Sequence, residues 1–225
     1  MFGLTPPPTS KMSLGDLKRL VKTGEGTYLE FKKTISSPDK IAREACAFAN
    51  TSGGMLLIGV NDDKSIIGVP SFYEEQYLLA EAMSILCEPE INHTVEIVET
   101  GKREVVIVKI EESEKKPVFV KHNGKKYAYI REHDKSVRAS REKTELMKIG
   151  NRKEGITFQY GPNEQKLFRF LNEYDKITVD EFSNLIAKNK RTSARILVNL
   201  TSIGVLKLFS GKESPDYFML SNQTF

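Results

Sequence analysis

Apolar residues recur at two different spacings along the first half of the chain, and the spacing separates predicted helices from predicted strands. Residues 14–23 and 40–49 repeat apolar side chains every three to four positions, which is typical of helices with one buried face. Residues 27–32 alternate, with Glu30 and Lys32 on the polar side. The same patterns continue with a helix at 71–87, whose inward residues include Tyr77 and Ile85, and with strands at 95–100, 104–110, 118–122 and 126–131.

Residues 48–69, FANTSGGMLLIGVNDDKSIIGV, occupy the centre of this pattern. Their continuous apolar run, MLLIGV, is typical of a strand that is covered on both faces. Gly53 and Gly54 precede it, and we expect them to allow a close approach of the backbone to another group. Asp62 and Asp63 follow it in a turn, a position where functional groups are common.

Two hairpins are predicted after this strand. One joins the strands 95–100 and 104–110, and the other joins 118–122 to 126–131 across Asn123 and Gly124. Asn-Gly is the strongest short-range signal for a two-residue hairpin turn.

The last third of the chain has a separate pattern. Helices are predicted at 163–174, 179–188 and 193–203, followed by short strands at 205–209 and 217–220. Three short helices followed by a hairpin resemble a winged helix-turn-helix over residues 162–221.

Three motifs in the first part of the chain resemble the Schlafen-type, Alba-like (AlbA_2) nucleic-acid-binding domain. They are EGTYLEFKK at 25–33, the stretch AFANTSGGMLLIGVNDDKSIIGV that ends at Val69, and KKPVFVKHNGKKYAYIREHDKSVRAS at 115–140. The resemblance covers roughly residues 14–145. It implies an α/β (α+β) domain with a mixed sheet, which we assign to residues 1–153. The separate pattern of the last third predicts a linker at 154–161 and a small winged-helix-like domain at 162–225.

Composition describes an ordinary globular protein, with 39% hydrophobic and 28% charged residues among 225. No apolar stretch approaches the roughly 20 residues that span a membrane, and the N-terminus does not resemble a secretory signal. Cys46 and Cys87 lie in apolar helical patterns without a C-x-x-C spacing, which favours buried thiols over a zinc site. These features predict a cytoplasmic protein.

The charge of the chain is unevenly distributed. The net charge is +4, but residues 102–153 alone hold 16 Lys and Arg against 8 Asp and Glu, so the remainder is net negative. A basic segment of this kind favours a polyanionic partner, and its alternative explanation is a solvated surface.

Two basic clusters are candidates for contacts with nucleic acid. The first lies on the second predicted hairpin and consists of Lys125, Lys126, Tyr129 and Arg131. Lysine and arginine bind phosphates and tyrosine stacks on bases. The alternative is an exposed sheet edge, where lysines prevent pairing with further strands.

The second basic cluster consists of Lys190, Arg191 and Arg195, at the start of the third C-terminal helix. That end of a helix-turn-helix faces base edges and phosphates, whereas the alternative is ordinary helix-surface charge.

A carboxylate set is the third candidate site. Glu30 and Lys32 share one face of a strand, an arrangement in which a carboxylate holds a divalent metal and a lysine orients water. Glu25 and Asp62 could complete a set suited to Mg²⁺ or Mn²⁺. The resemblance implies two Glu and one Asp for ribonuclease-active Schlafens, here Glu25, Glu30 and either Asp62 or Asp63. The alternative is that Glu30 and Lys32 form an ion pair and Asp62 shapes a turn.

These patterns favour a nucleic-acid-binding protein, with a DNA-binding transcriptional regulator as the first hypothesis and RNA as a possible ligand. Binding of this kind requires no cofactor. The alternatives are a metal-dependent endoribonuclease or other nuclease built on the carboxylates, and a protein-interaction adaptor with a basic face. Nucleotide hydrolysis at Gly53 and Gly54 is disfavoured because the sequence lacks G-x-x-x-x-G-K-[ST]. Schlafen cores resemble two such lobes that face each other. Because this sequence contains one lobe, we predict a homodimer.

Overall fold

The computed structural model describes residues 9–150, 160–211 and 214–221, which form parts of two compact units, Met1–Ala139 and Ser140–Phe225. Both units combine helices with sheets, and the first contains a mixed sheet, which confirms the predicted α+β class. Most of the predicted linker, residues 154–159, lies outside the described residues.

The first unit contains three α-helices and nine strands among its described residues. The helices are α1 Leu14–Thr23, α2 Pro38–Asn50 and α3 Phe72–Ala80, and a π-helical stretch, Glu81–Leu86, continues α3. The strands are β1 Leu29–Lys32, β2 Gly54–Ile58, β3 Cys87–Glu88, β4 His93–Glu99, β5 Glu104–Ile110, β6 Phe119–His122, β7 Lys125–Tyr127, β8 Tyr129–Glu132 and β9 Lys135–Arg138.

The central sheet has the strand order β1-β2-β5-β4, with β1 parallel to β2 and the other pairs antiparallel. Leu56 and Ile58 of β2 contribute to a core shared with α2 and the π-helical stretch, whereas Leu57 contributes to a core shared with α1. Successive side chains of a strand point to opposite faces, so β2 is buried on both. The prediction for the MLLIGV run is confirmed.

Gly53 and Gly54 bring the start of β2 very close to two groups of the same chain. Gly53 has φ +69°, and a Cβ there would lie 2.7 Å from the Ile110 carbonyl oxygen. A Cβ on Gly54 would lie 2.2 Å from the ring of Phe48, which is fully buried in α2. Gly54 therefore allows α2 to pack on the sheet, and Gly53 allows the start of β2 to approach the end of β5.

The helix predicted over 71–87 is only partly correct. Regular α-helix ends at Ala80, and its inward face is formed by Phe72, Glu75 and Leu79. Tyr77 and Ile85, predicted to face inward, are 73% and 60% exposed. A π-helical stretch has a wider hydrogen-bond spacing than an α-helix, so a 3.6-residue period does not continue through it.

The first predicted hairpin is confirmed by the β4–β5 pair, and the second only in part. Strands β6 and β7 pair across Asn123 and Gly124, both with positive φ, as a two-residue turn requires. The predicted strand at 126–131 is interrupted at Ala128, and the segment after it, β8, pairs with β9 instead. Lys125 and Lys126 therefore lie in a different sheet from Tyr129 and Arg131.

The described part of the second unit has α4 Arg141–Gly150, α5 Pro162–Tyr174, β10 Lys176–Thr178, α6 Val179–Ile186, α7 Lys190–Ser202, β11 Leu206–Phe209 and β12 Tyr217–Leu220. The strands form an antiparallel sheet in the order β10-β12-β11. Its core includes Leu167, Phe182, Leu197 and Phe218. Helix α4 packs against α7 within the second unit.

Both cysteines are buried in the first unit. Burial raises the pKa of the Cys46 thiol to about 12, and burial also raises the pKa of the Cys87 thiol. The two thiols therefore stay protonated and behave as small apolar side chains. None of the described helices is long and apolar enough to cross a membrane.

Candidate functional site

Glu30 and Lys32 lie on the face of β1 that is directed away from Leu29 and Phe31. Glu30 is only 7% exposed and forms an ion pair with Lys32 through Oε1. Its other oxygen, Oε2, lies 3.1 Å from Nη1 of Arg131. Both oxygens of this carboxylate are therefore engaged by cations of the same chain.

Arg131 is the centre of this arrangement, which corrects its predicted place on an exposed strand face. Its side chain has no exposed area. Nη1 also contacts Glu44 of α2 at 2.9 Å and Ser136 Oγ at 3.0 Å, and Nη2 donates to the Gly26 carbonyl at 2.6 Å. The guanidinium carbon lies 4.7 Å from the centroid of the Phe48 ring. We refer to Glu30, Lys32, Glu44, Arg131 and Ser136 as the Arg131 cluster.

The Arg131 cluster connects elements that are far apart in sequence, namely β1, α2, β8 and β9. Two cations and two carboxylates meet there, so their charges are internally balanced. Balanced, hydrogen-bonded charge is the condition under which ionised groups are tolerated in a protein interior. Arg131 is consequently not available for phosphate in this arrangement.

The other predicted carboxylates lie at the edge of this cluster. Glu25 Oε1 accepts a hydrogen bond of 2.8 Å from the backbone N–H of Phe31. Burial raises the pKa of Glu25, the Phe31 hydrogen bond opposes that shift, and the charges of Glu30 and Asp62 add to it. Glu25, Glu30 and Asp62 are therefore close enough to interact electrostatically.

Asp62 and Asp63 have different surroundings in the turn after β2. Asp62 is exposed. Asp63 Oδ1 accepts a hydrogen bond of 2.8 Å from the backbone N–H of Ser65, and hydrogen bonding to Ser65 holds the pKa of Asp63 below its usual value. Asp63 therefore stabilises the turn that both residues form.

The carboxylates do not fit the predicted divalent-metal site. Over residues 9–150, 160–211 and 214–221, no three His, Cys, Asp or Glu side chains are grouped so that they could hold a metal ion. Glu30 would have to leave both Lys32 and Arg131 before its oxygens could coordinate one. The alternative considered for Glu30 and Lys32, an ion pair on β1, agrees with this geometry.

Lys125 and Lys126 are exposed on β7, as predicted. Lys126 Nζ lies 2.6 Å from Glu88 Oε1, and Lys121 of β6 lies 3.8 Å from the other oxygen of the same carboxylate. The Lys126 hydrogen bond lowers the pKa of Glu88. One carboxylate thus faces two of the three lysines on this hairpin, Lys121 and Lys126.

Tyr127 and Tyr129 are half-buried, and each has one arginine neighbour that the sequence analysis did not predict. Arg43 of α2 lies 5.9 Å from the centroid of the Tyr129 ring. Arg138 of β9 lies 4.0 Å from the centroid of the Tyr127 ring. The one available signal was that Arg43 and Glu44 are the two charged positions within residues 41–49, which are otherwise apolar.

The second unit presents the other basic cluster on α7. Asn189 caps the helix by accepting a hydrogen bond of 2.9 Å from the Thr192 N–H. Arg191 and Arg195 are exposed and four residues apart, so they lie on the same side of the helix. Lys190 is also exposed but lies 2.7 Å from Asp180 of α6.

The family model described as Schlafen, AlbA_2 matches residues 25–140. A search of curated proteins found no significant match.

Two solved structures are similar to part of the chain. The N-terminal domain of a RecG-related protein from Nitrosomonas europaea is 22% identical with a TM-score of 0.42, over 53% of this chain and 87% of that one. The DIP2311 protein from Corynebacterium diphtheriae is 18% identical with a TM-score of 0.39, over 52% of this chain and 25% of that one.

Proposed function

This chain belongs to the Schlafen AlbA_2 family, and from that premise we propose that it is a nucleic-acid-binding protein that acts as a DNA-binding transcriptional regulator. The observation that carries the proposal is the exposed pair Arg191 and Arg195 near the start of α7. Neither arginine is needed for the core of the second unit, which is built from apolar side chains.

The order of elements in the second unit supports this role. From α5 onward the order is helix, strand, two helices and two strands, and the strands form one antiparallel sheet. This is the order of a winged helix, in which the helix corresponding to α7 enters the major groove with its N-terminal residues toward the bases. Lys190, Arg191 and Arg195 lie in that N-terminal half.

The first unit contributes contacts of a different kind. The β6–β7 hairpin carries Lys121, Lys125 and Lys126, of which Lys121 and Lys126 share the carboxylate of Glu88. Lysines act on phosphate as point charges and carry no base information, so they add affinity without sequence preference. A metal-dependent nuclease is not proposed, because the donors at Glu30 do not fit a metal ion.

Replacing the two clusters should change binding in different ways. Lys125→Ala with Lys126→Ala should weaken all sequences alike and lower the salt slope by roughly one for each phosphate that is no longer neutralised. Arg191→Ala or Arg195→Ala should cost about 1–3 kcal/mol on a preferred duplex and less on a scrambled one. The measurement is a binding titration at several salt concentrations, with a preferred duplex obtained by selection from random DNA.

Lys18→Ala on α1 and Lys166→Ala on α5 are matched controls, because both lysines are exposed and belong to neither cluster. The proposal is overturned if the wild-type chain binds neither DNA nor RNA, or if the cluster variants bind like the controls. Cleavage of the nucleic acid after addition of Mn²⁺ would contradict the assignment of Glu30 to an internal ion pair.

A homodimer is part of the proposal, because a regulator that reads two half-sites needs two copies of its recognition helix. We expect light scattering at tens of micromolar to give twice the 25.5 kDa mass of one chain. A mass of one chain at that concentration would remove the dimer from the proposal.

A further inference from the structure

Four side chains in the first unit form an alternating row of arginine and tyrosine. Arg43 of α2 lies 5.9 Å from the centroid of the Tyr129 ring. Tyr129 is directly opposite Arg138 in the β8–β9 ladder, so both side chains lie on one face of that hairpin. Arg138 in turn lies 4.0 Å from the centroid of the Tyr127 ring. We call Arg43, Tyr129, Arg138 and Tyr127 the Arg–Tyr row.

The arginines of the row differ from Arg131 in exposure and in charge balance. Arg43 and Arg138 are exposed, whereas Arg131, which lies on the same face of β8, is enclosed by two carboxylates. In the part of the chain that the structure describes, no carboxylate oxygen lies within ion-pair distance of Arg43 or Arg138. Their charge is therefore presented to the outside of the unit.

The tyrosines of the row hold these guanidinium groups in place. Tyr129 is half-buried and packs against the core between α2 and the sheet, and Tyr127 is half-buried at the end of β7. An arginine over a tyrosine ring gains from the ring quadrupole and keeps its donors at the surface. A planar cation beside an aromatic ring offers donors for phosphate and flat surfaces for a base.

We propose that the Arg–Tyr row is a stacking site for unpaired nucleotides, so that the first unit binds single-stranded nucleic acid. The proposal rests on the nucleic-acid-binding function above and names the ligand class of the first unit. Bases of a duplex are stacked on each other and hide their faces, whereas bases of a single strand can stack on protein rings. A row with two arginines and two half-buried tyrosines suits a strand whose bases are accessible.

The test uses the full chain and a single-stranded oligonucleotide that carries 2-aminopurine, whose emission falls when the base stacks. DNA and RNA versions are compared with the duplex of the same sequence. Arg43→Lys and Arg138→Lys keep the positive charge but remove the planar guanidinium group. Tyr127→Leu removes one aromatic ring and keeps a bulky apolar side chain. Each variant should weaken single-strand binding by about 5- to 150-fold, with loss of the emission change. Duplex binding should stay within about twofold, because α7 carries it.

Arg19→Lys on α1 and Tyr77→Leu on α3 are matched controls, since both residues are exposed and lie outside the row. Thermal unfolding of every variant separates a defect in binding from a defect in folding. If the wild-type chain binds the duplex but not the single strand, the row proposal is overturned and the proposed function remains. Binding to neither overturns both. Single-strand binding that Arg43→Lys, Arg138→Lys and Tyr127→Leu all leave unchanged overturns the row alone.

Discussion

Arg131→Met should lower the free energy of unfolding by about 3–5 kcal/mol, as is typical when one partner of a buried ion pair is removed. The substitution leaves the carboxylates of Glu30 and Glu44 without the cation that faces both of them. Glu30 keeps Lys32, but Glu44 keeps only the Ser136 hydroxyl among its described partners. Urea denaturation followed by circular dichroism measures the loss.

A compensated variant separates charge from packing at this site. Arg131→Met combined with Glu30→Gln and Glu44→Gln removes the unpaired buried charges, so it should recover at least about half of the loss. Arg19→Met is the control, because Arg19 pairs with Asp16 at an exposed position on α1. Such surface pairs contribute little to stability. An Arg131→Met protein as stable as Arg19→Met would show that the Arg131 cluster does not stabilise the fold.

Asn50→Ala should lower the free energy of unfolding by about 2–4 kcal/mol, a smaller loss than the one expected for Arg131→Met. Asn50 is 5% exposed at the end of α2. Its Nδ2 donates to the carbonyls of Val118 and Tyr129, both at 2.9 Å, and its Oδ1 accepts from the Val118 N–H at 2.7 Å. Alanine leaves these backbone groups without their partner, and each buried group left unsatisfied costs about 1–3 kcal/mol.

The matched control is Asn61→Ala, because Asn61 makes a side-chain hydrogen bond of 2.7 Å to Ser65 in the exposed turn after β2. Hydrogen exchange adds a local measurement, since Asn50→Ala should raise the exchange rate of the Val118 amide specifically. Equal denaturation midpoints for the two variants would contradict the prediction.

The local elements of the fold were largely predictable because their causes are local. The apolar periods of α1 and α2 and the Asn123–Gly124 turn are determined by neighbouring residues. The errors arose where a local pattern was extended too far. The π-helical stretch changed the helical period after Ala80, and the strand after Gly124 changed partners at Ala128.

The candidate site was predictable only in the parts that a single element presents. The exposure of Lys125, Lys126, Arg191 and Arg195 agrees with their positions in short polar patterns of one hairpin and one helix. The pairing of Glu30 with Lys32, weighed as an alternative, also depends on one strand alone. Gly53 and Gly54 were predicted to allow a close approach, but the sequence did not identify the Phe48 ring and the Ile110 carbonyl as the groups that approach.

The α+β class, the family motifs and the positions that carry charge could all be inferred from the sequence. Which of these charges neutralise each other depends on the tertiary structure. Arg131 and Arg138 lie on the same face of the β8–β9 hairpin, and no local pattern distinguishes them. Arg131 meets Glu30 across 101 sequence positions and Glu44 across 87, whereas Arg138 lies over Tyr127 at the surface. Charge balance in a folded protein depends on distance in space. Two arginines of one hairpin therefore differ, because Arg131 forms internal ion pairs and Arg138 belongs to a candidate binding site.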